Sequence, residues 1–346
     1  MVGMGSFWDR LQRPIFILAP MEDVTDTVFR QVICRAGRPD VFFTEFTNVD
    51  GMFSKGERQV RQRLQFDPIE KPIVAQIWGL KPENYFKAGR LISEMGFDGV
   101  DINMGCPQRN VVQKGACSAL MKNHSLASEI IQATMEGAGD LPVSVKTRIG
   151  YEKENIEEWI GFLLELKLAA LTVHARTVAE MSAVPAHWEV MRDVVKLRNV
   201  RRLQPHPNPF LKGEGKRGGE GKIKRTLIIG NGDVRSLEDA REKIEQSGVD
   251  GVMIGRGVFG NPWVFNEKVN IEHVSVKERL ELLCFHVDLF EKTWGISKQY
   301  QLLKKYFKIY VSGFEGASDL RGKLMETKSI EEARVVIKKI ENNSDN

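Results

Sequence analysis

Cys106 lies between Gly105 and Pro107 in the stretch DINMGCPQRN, residues 101–110. Glycine and proline end a strand, so the thiol is expected on a loop and outside the core. A thiol of ordinary pKa, about 8.5, stays mostly protonated at neutral pH and can serve as a general acid. Other chemically capable residues recur where short apolar segments stop. They are APMEDVTD (19–26), Glu45, Gln76, Asn103, Lys146 with Arg148, His174 with Arg176, GNGD (230–233) and GRG (255–257).

Spacing sharpens this set. Lys146 and Arg148 are two residues apart, as are His174 and Arg176, so in strands each pair points to one side. GNGD and GRG are glycine turns that expose backbone N–H groups, which favour a phosphate, and Arg256 adds a fixed positive charge. A phosphate held there, with Gln76, Asn103, Lys146 and His174 across the mouth, suits flavin mononucleotide (FMN). Gln and Asn can pair with a pyrimidine edge, and Lys146 or His174 can meet negative charge on the reduced ring. Cys106 is then placed to protonate a carbon next to the one that receives hydride.

The elements that must carry these residues are eight short apolar runs: 15–19, 41–45, 72–77, 99–103, 142–147, 171–175, 226–230 and 251–255. Most gaps hold helix-period segments, such as 83–95 and 156–168. Alternation of this kind predicts a (β/α)8 TIM barrel, with an open doubly wound sheet as the competing architecture. Two gaps are long. One holds the loop after Cys106. The other holds residues 201–225, a Gly-, Pro- and Lys-rich segment read as a disordered insertion in an αβ loop, remote from the chemistry. Helical patterns at 275–293, 297–311 and 328–341 predict a C-terminal helical domain. The expected division is a barrel over 1–264 and a helical domain with a polar tail over 265–346.

The 346 residues carry a net charge of +4. Residues 201–225 hold eight Lys/Arg against two Glu, and the rest of the chain has 42 basic against 44 acidic residues. Bulk charge is therefore weak evidence for a nucleic-acid partner, and local patches must supply it. Four cysteines, Cys34, Cys106, Cys117 and Cys284, form no C-x-x-C pair and no zinc spacing. With no apolar run of about 18 residues and no secretory leader evident, the expectation is a cytoplasmic protein with free thiols and no metal.

Six motifs in order, APMEDVTDTVFR (19–30), DINMGCP (101–107), VKTRIG (145–150), LTVHART (171–177), IIGNGDV (228–234) and IGRGVFGNPW (254–263), resemble the tRNA-dihydrouridine synthases. The resemblance runs from about residue 13 to 335, with 201–225 as its main gap. It implies reduction of a tRNA uridine to dihydrouridine: NADPH reduces FMN, hydride passes from flavin N5 to C6 of the base, and Cys106 protonates C5. It implies FMN contacts from Pro20, Met21, Gln76, Lys146, His174, Asn231, Gly232, Asp233, Gly255 and Arg256. Asn103 and Arg176 would line the uridine pocket, and a monomer is expected. The stretch 302–325 resembles the family's RNA-contacting helices, with Lys304, Lys305 and Arg321 as tRNA contacts. Cys117 stands where the family more often has glycine. The alternatives are a flavin barrel acting on a free dihydropyrimidine or dihydroorotate, and a non-catalytic RNA-binding protein on the same fold.

Overall fold

A computed structural model describes residues 6–201 and 225–344, with side chains through Lys339. Nine strands are present among these residues: β1 Ile15–Leu18, β2 Phe42–Phe43, β3 Thr47–Asn48, β4 Ile73–Trp78, β5 Gly99–Asn103, β6 Val143–Gly150, β7 Ala170–Thr177, β8 Leu227–Asn231 and β9 Gly251–Ile254. All pairings are parallel, in the order β1-β9-β8-β7-β6-β5-β4-β2, with β3 also on β4. A parallel bridge between Ile17 and Val41 joins the two ends. The result is a nearly closed barrel of eight strand positions, and the doubly wound alternative is set aside.

The second strand departs from its expected form. The run 41–45 was expected as one strand, but regular pairing covers only Phe42–Phe43 and resumes at Thr47–Asn48. The register against β4 slips by one residue between the two pieces, the signature of a bulge. Glu45 sits in that interruption, nearly fully buried.

Alternation of side chains along each strand separates two apolar layers. Ile15, Ile17, Val41, Phe43, Val74, Ala170, Leu227, Ile229 and Met253 form an inner cluster, closed by Phe7 and Trp8 of a short N-terminal helix. Their strand neighbours Leu18, Phe42, Ile73, Ala75, Val100, Ile102, Val145, Leu171 and Val173 belong to the outer layer, under the helices. Continuing the inner parity toward the strand ends gives Gln76, Asp101, Asn103, Lys146, His174 and Asn231. The same period-2 pattern that fills the barrel with aliphatic groups below therefore delivers polar groups to its mouth.

Beyond Ile254 the described residues contain no strand. A 19-residue helix, Val276–Trp294, starts with a capping box between Ser275 and Glu278. The segment expected as one helix over 297–311 instead forms two short ones, Gln301–Lys304 and Phe307–Tyr310. The break falls at Lys305 and Tyr306, which reach back to the barrel. A further helix at Ala317–Glu326 precedes Ile330–Ser344.

This helical region grips the first barrel loop. Asp26 caps the helix Thr27–Ala36 by accepting from Phe29 N at 3.0 Å. Its other oxygen accepts from Trp294 Nε1 at 3.0 Å and Lys298 Nζ at 2.7 Å. Tyr306 donates to the Val24 carbonyl at 2.8 Å, and Lys305 donates to that of Asp23. The loop that begins with Pro20 and Met21 is thus fixed from outside the barrel.

Candidate active site

A cavity of about 700 Å³ opens at the C-terminal ends of β1 and β6–β9. That is within the usual range for a cofactor-sized ligand, roughly 300–1,000 Å³. Pro20, Met21, Lys146, His174, Arg176, Asn231, Gly232, Asp233, Gly255 and Arg256 all line it. Nine of the ten residues expected around FMN are therefore brought together. Arg176, expected at the uridine pocket, joins them.

The strand-8 and strand-9 side is built for an anion. Among the described residues, the backbone N–H groups of Gly232, Asp233, Gly255 and Arg256 donate to no backbone carbonyl. Gly232 has a φ of +125° and a side chain there would strike Ala186 Cβ at 2.8 Å, so the turn accepts only glycine without distortion. Beneath it, Trp188 Nε1 donates to the Gly232 carbonyl at 2.8 Å, and its ring fills the space under Gly230. Asp233 accepts from Arg176 and, at 3.1 Å, from Arg256. Partial burial opposes its charge, but hydrogen bonds from Arg176 and the Ala186 N–H outweigh that and hold the carboxyl below its ordinary range. Asp233 thus spaces two guanidinium groups along the cavity rim.

Lys146 donates to Asn231 Oδ1 at 2.9 Å, and Asn231 Nδ2 donates to the Met253 carbonyl at 2.8 Å. Burial, with nearby Arg148, brings the Lys146 ammonium down to about 8, so it remains mainly cationic at pH 7. His174 is held well below its ordinary pKa by burial and then by the cations Lys146, Arg148, Arg176 and Arg256. It is a neutral imidazole. Arg176 Nη1 lies 3.0 Å from His174 Nε2. A guanidinium can only donate, so Nε2 is the acceptor and Nδ1 carries the proton.

Gln76 and Asn103 are not lining residues of this cavity. They belong to a polar chain across β4, β5 and β6. Asn103 Nδ2 donates to Gln76 Oε1 at 3.1 Å, Gln76 Nε2 donates to Asp101 Oδ2 at 2.7 Å, and Ser144 donates to Asp101 Oδ1 at 2.6 Å. Desolvation pushes the buried Asp101 carboxyl up to about 6, against the hydrogen bonds from Ser144 and Gln76. Asn103 Oδ1 accepts from Gly105 N at 3.1 Å and Cys106 N at 3.0 Å, so this side chain shapes the turn that presents the thiol.

Cys106 is partly exposed and stands on the strand-5 side of the mouth, within electrostatic reach of Lys146. Ser118 donates to its carbonyl at 2.8 Å, and Arg148 Nε donates to the carbonyl of Gly105 at 2.9 Å. Cys106 packs against Val111, Ala116 and Cys117. The adjacent Cys117 thiol, acting against partial burial and helped by the Gln108 N–H and Arg148, brings the Cys106 thiol down to about 7. Cys117 itself has φ +52°, a left-handed conformation that suits glycine and costs another residue roughly 1 kcal/mol or more. Ser118, Cys117, Trp188 and the supporting role of Arg148 were not legible as site residues. Only the unusual cysteine in place of glycine signalled this corner.

The three cations expected to contact tRNA lie in the helical region. Lys304 Nζ donates to the Met325 carbonyl at 2.7 Å, Lys305 to Asp23, and Arg321 Nη1 to the Val311 carbonyl at 2.7 Å. Each ties down a backbone carbonyl. Among the described residues no cluster of His, Cys, Asp or Glu could hold a metal, and no helix is long and apolar enough to cross a membrane.

The model of the family described as "Dihydrouridine synthase (Dus)" matches residues 17–201 and 221–345. A protein named "Probable tRNA-dihydrouridine synthase" from Staphylococcus aureus is 47% identical over 339 residues, covering 97% of this chain and 96% of its own length. "Probable tRNA-dihydrouridine synthase 2" from Bacillus subtilis is 47% identical over 335 residues, covering 96% and 95%. Among solved structures, morphinone reductase aligns with a TM-score of 0.47 at 13% identity over 72% of this chain and 84% of its own, a likeness too remote to bear on chemistry. With matches spanning nearly its whole length, this chain belongs to the dihydrouridine synthase family.

Proposed function

We infer that this chain reduces a uridine in tRNA to 5,6-dihydrouridine, with FMN in the mouth cavity and NADPH as the reductant. The observation that carries the reading is the pairing of two features at one barrel mouth. A glycine-walled, cationic cavity shares the mouth with a loop thiol held by Asn103 and packed beside Cys117. This Cys106 thiol lies outside the cavity lining but within electrostatic reach of Lys146. The relatives' names supply the substrate class.

The residues fit FMN. Backbone N–H groups of Gly232, Asp233, Gly255 and Arg256, with the Arg256 guanidinium, would hold the phosphate. Lys146 brings a cation and His174 an Nδ1–H donor to the ring; Pro20 and Met21 form an apolar wall. Reduced FMN supplies a hydride when bound. Cys106 holds the proton destined for C5 of the base, and Asn103 keeps its turn in place. Lys304, Lys305, Arg321 and the exposed Lys308 would meet the tRNA backbone as fixed charges. A small-molecule reductase would need no such helical region clamped to the barrel.

Acid catalysis needs the thiol, and the thiol is lost as pH rises through about 7. Single-turnover oxidation of the reduced flavin by tRNA is therefore expected to slow above neutrality. A rate flat from pH 6 to 9 would remove Cys106 from the proton-transfer step. The insertion gives a second check. Apart from Arg201 and Arg225, residues 201–225 lie outside the described residues, and the family match omits 202–220. Arg198 and Arg225 both pair with Asp250, whose carbonyl receives Ile15 N at the opposite end of the barrel from the cavity. Deleting 204–222 is expected to leave turnover and tRNA affinity nearly unchanged, and a large fall in affinity would assign this segment to the RNA.

The direct test uses purified protein, FMN, NADPH and a tRNA transcript free of modification. Nucleoside mass spectrometry should find dihydrouridine at a defined position. Its absence, with NADPH-dependent reduction of free uracil or orotate, would favour the small-molecule alternative.

A further inference from the structure

We propose that Cys106 and Cys117 are a peroxide-responsive pair, with Cys117 as the thiol that resolves oxidised Cys106 into a reversible disulfide. Three structural features meet here. Cys106 is partly exposed on a loop fixed at both sides, its N–H bonded to Asn103 and its carbonyl to Ser118. Cys117 is buried, 1% exposed, in the small cluster of Val111 and Ala116 against which Cys106 packs, together with Trp78 and Leu80. The two thiols are close enough that each shifts the other's ionisation, Cys117 favouring the Cys106 thiolate. Cys117 also occupies a left-handed backbone position where glycine would be relaxed, so a thiol is retained there at a conformational cost.

The chemistry balances with hydrogen peroxide as oxidant. The Cys106 sulfur attacks the O–O bond, an S–O bond forms, and hydroxide leaves to be protonated to water. The sulfenic acid then meets the neighbouring Cys117 thiol, the S–S bond forms, and a second water leaves. Two thiols give up two electrons and one peroxide is reduced to two waters. A dithiol reductant reverses the bond. Cys106 is partly thiolate near neutral pH, which is the form that reacts, whereas Cys117, pushed well above its ordinary pKa by burial, stays protonated until the sulfenic acid is beside it. The bond shields Cys106 from irreversible oxidation. That it also stops turnover rests on Cys106 being the acid.

The two cysteines separate on tryptic cleavage at Arg90, Arg109, Lys114 and Lys122 into fragments 91–109 and 115–122. FMN-loaded protein is exposed to a small excess of hydrogen peroxide, alkylated and digested without reduction. The expected product is these two fragments joined, 2 Da lighter than their sum, with turnover restored by dithiothreitol. In Cys117→Gly, which suits the backbone, and in Cys117→Ser, Cys106 should go on to sulfinic acid and dithiothreitol should restore little. Sulfinic acid on Cys106 with Cys117 alkylated in the unmodified protein would overturn the proposal, as would resistance of both thiols to peroxide. Linked fragments with undiminished turnover would keep the pair and reject Cys106 as the acid.

Discussion

Cys106→Ala is expected to slow uridine reduction by roughly a hundred- to ten-thousandfold, the range for loss of a positioned general acid. Binding should survive, because Cys106 makes no contact with the phosphate side of the cavity. FMN would still be held by the glycine turns, Lys146 and Arg256, and the helical region is untouched. Flavin absorbance and tRNA affinity should therefore match the unmodified protein while single-turnover reduction collapses. Asn103 gives a graded companion. Without its side chain the N–H groups of Gly105 and Cys106 lose their acceptor, so the thiol is still present but poorly aimed. Reduction at the unmodified rate in Cys106→Ala would remove the thiol from the chemistry.

Arg30→Ala is expected to destabilise the fold by about 3–5 kcal/mol, the cost of stranding a buried charge. Arg30 and Glu70 are both 0% exposed and pair at 2.5 Å. Arg30 also donates to the carbonyls of Thr25 at 2.5 Å and Gln65 at 2.7 Å. Glu70 accepts from Thr27 and from Asp67 N. Burial already raises the Glu70 carboxyl, with Arg30 the leading counterweight. Without Arg30 it should rise further. A carboxyl raised in the folded state costs stability as pH climbs from its unfolded value through its folded one. The loss, read by urea unfolding, should therefore be larger at pH 8 than at pH 5. Replacing the pair together by apolar residues of similar size should recover much of it. An Arg30→Ala protein as stable as the parent would show the pair to be dispensable.

Much of the fold was legible because each barrel strand is a short apolar run, and the polar residue at its end keeps the inner parity. That rule placed Lys146, His174 and Asn231 together from three separate strands. It failed at residues 41–45, where a one-residue bulge interrupts pairing around Glu45. Burial, then nearby Asp26, pushes that carboxyl up to about 7. Nothing local in VFFTE encodes a bulge. The polar chain Asn103–Gln76–Asp101 was half legible: the residue types were visible, but their bonding to one another depends on strand register. The Arg30–Glu70 pair and the triple use of Asp26 were not legible, since their partners lie far away in sequence. Cys117 was noticed as a cysteine in a glycine position, and its left-handed backbone explains why glycine was expected.

On the proposed function, this chain makes dihydrouridine in tRNA with Cys106 as its acid. The most direct measurement is site-resolved mapping of dihydrouridine in a strain lacking this gene and any other dihydrouridine synthase. Expression of the unmodified chain should restore dihydrouridine at one or a few fixed tRNA positions, and equal amounts of Cys106→Ala should not. Tracts of unmodified uridine persisting with the intact chain would contradict the activity, and restoration by Cys106→Ala would contradict the mechanism.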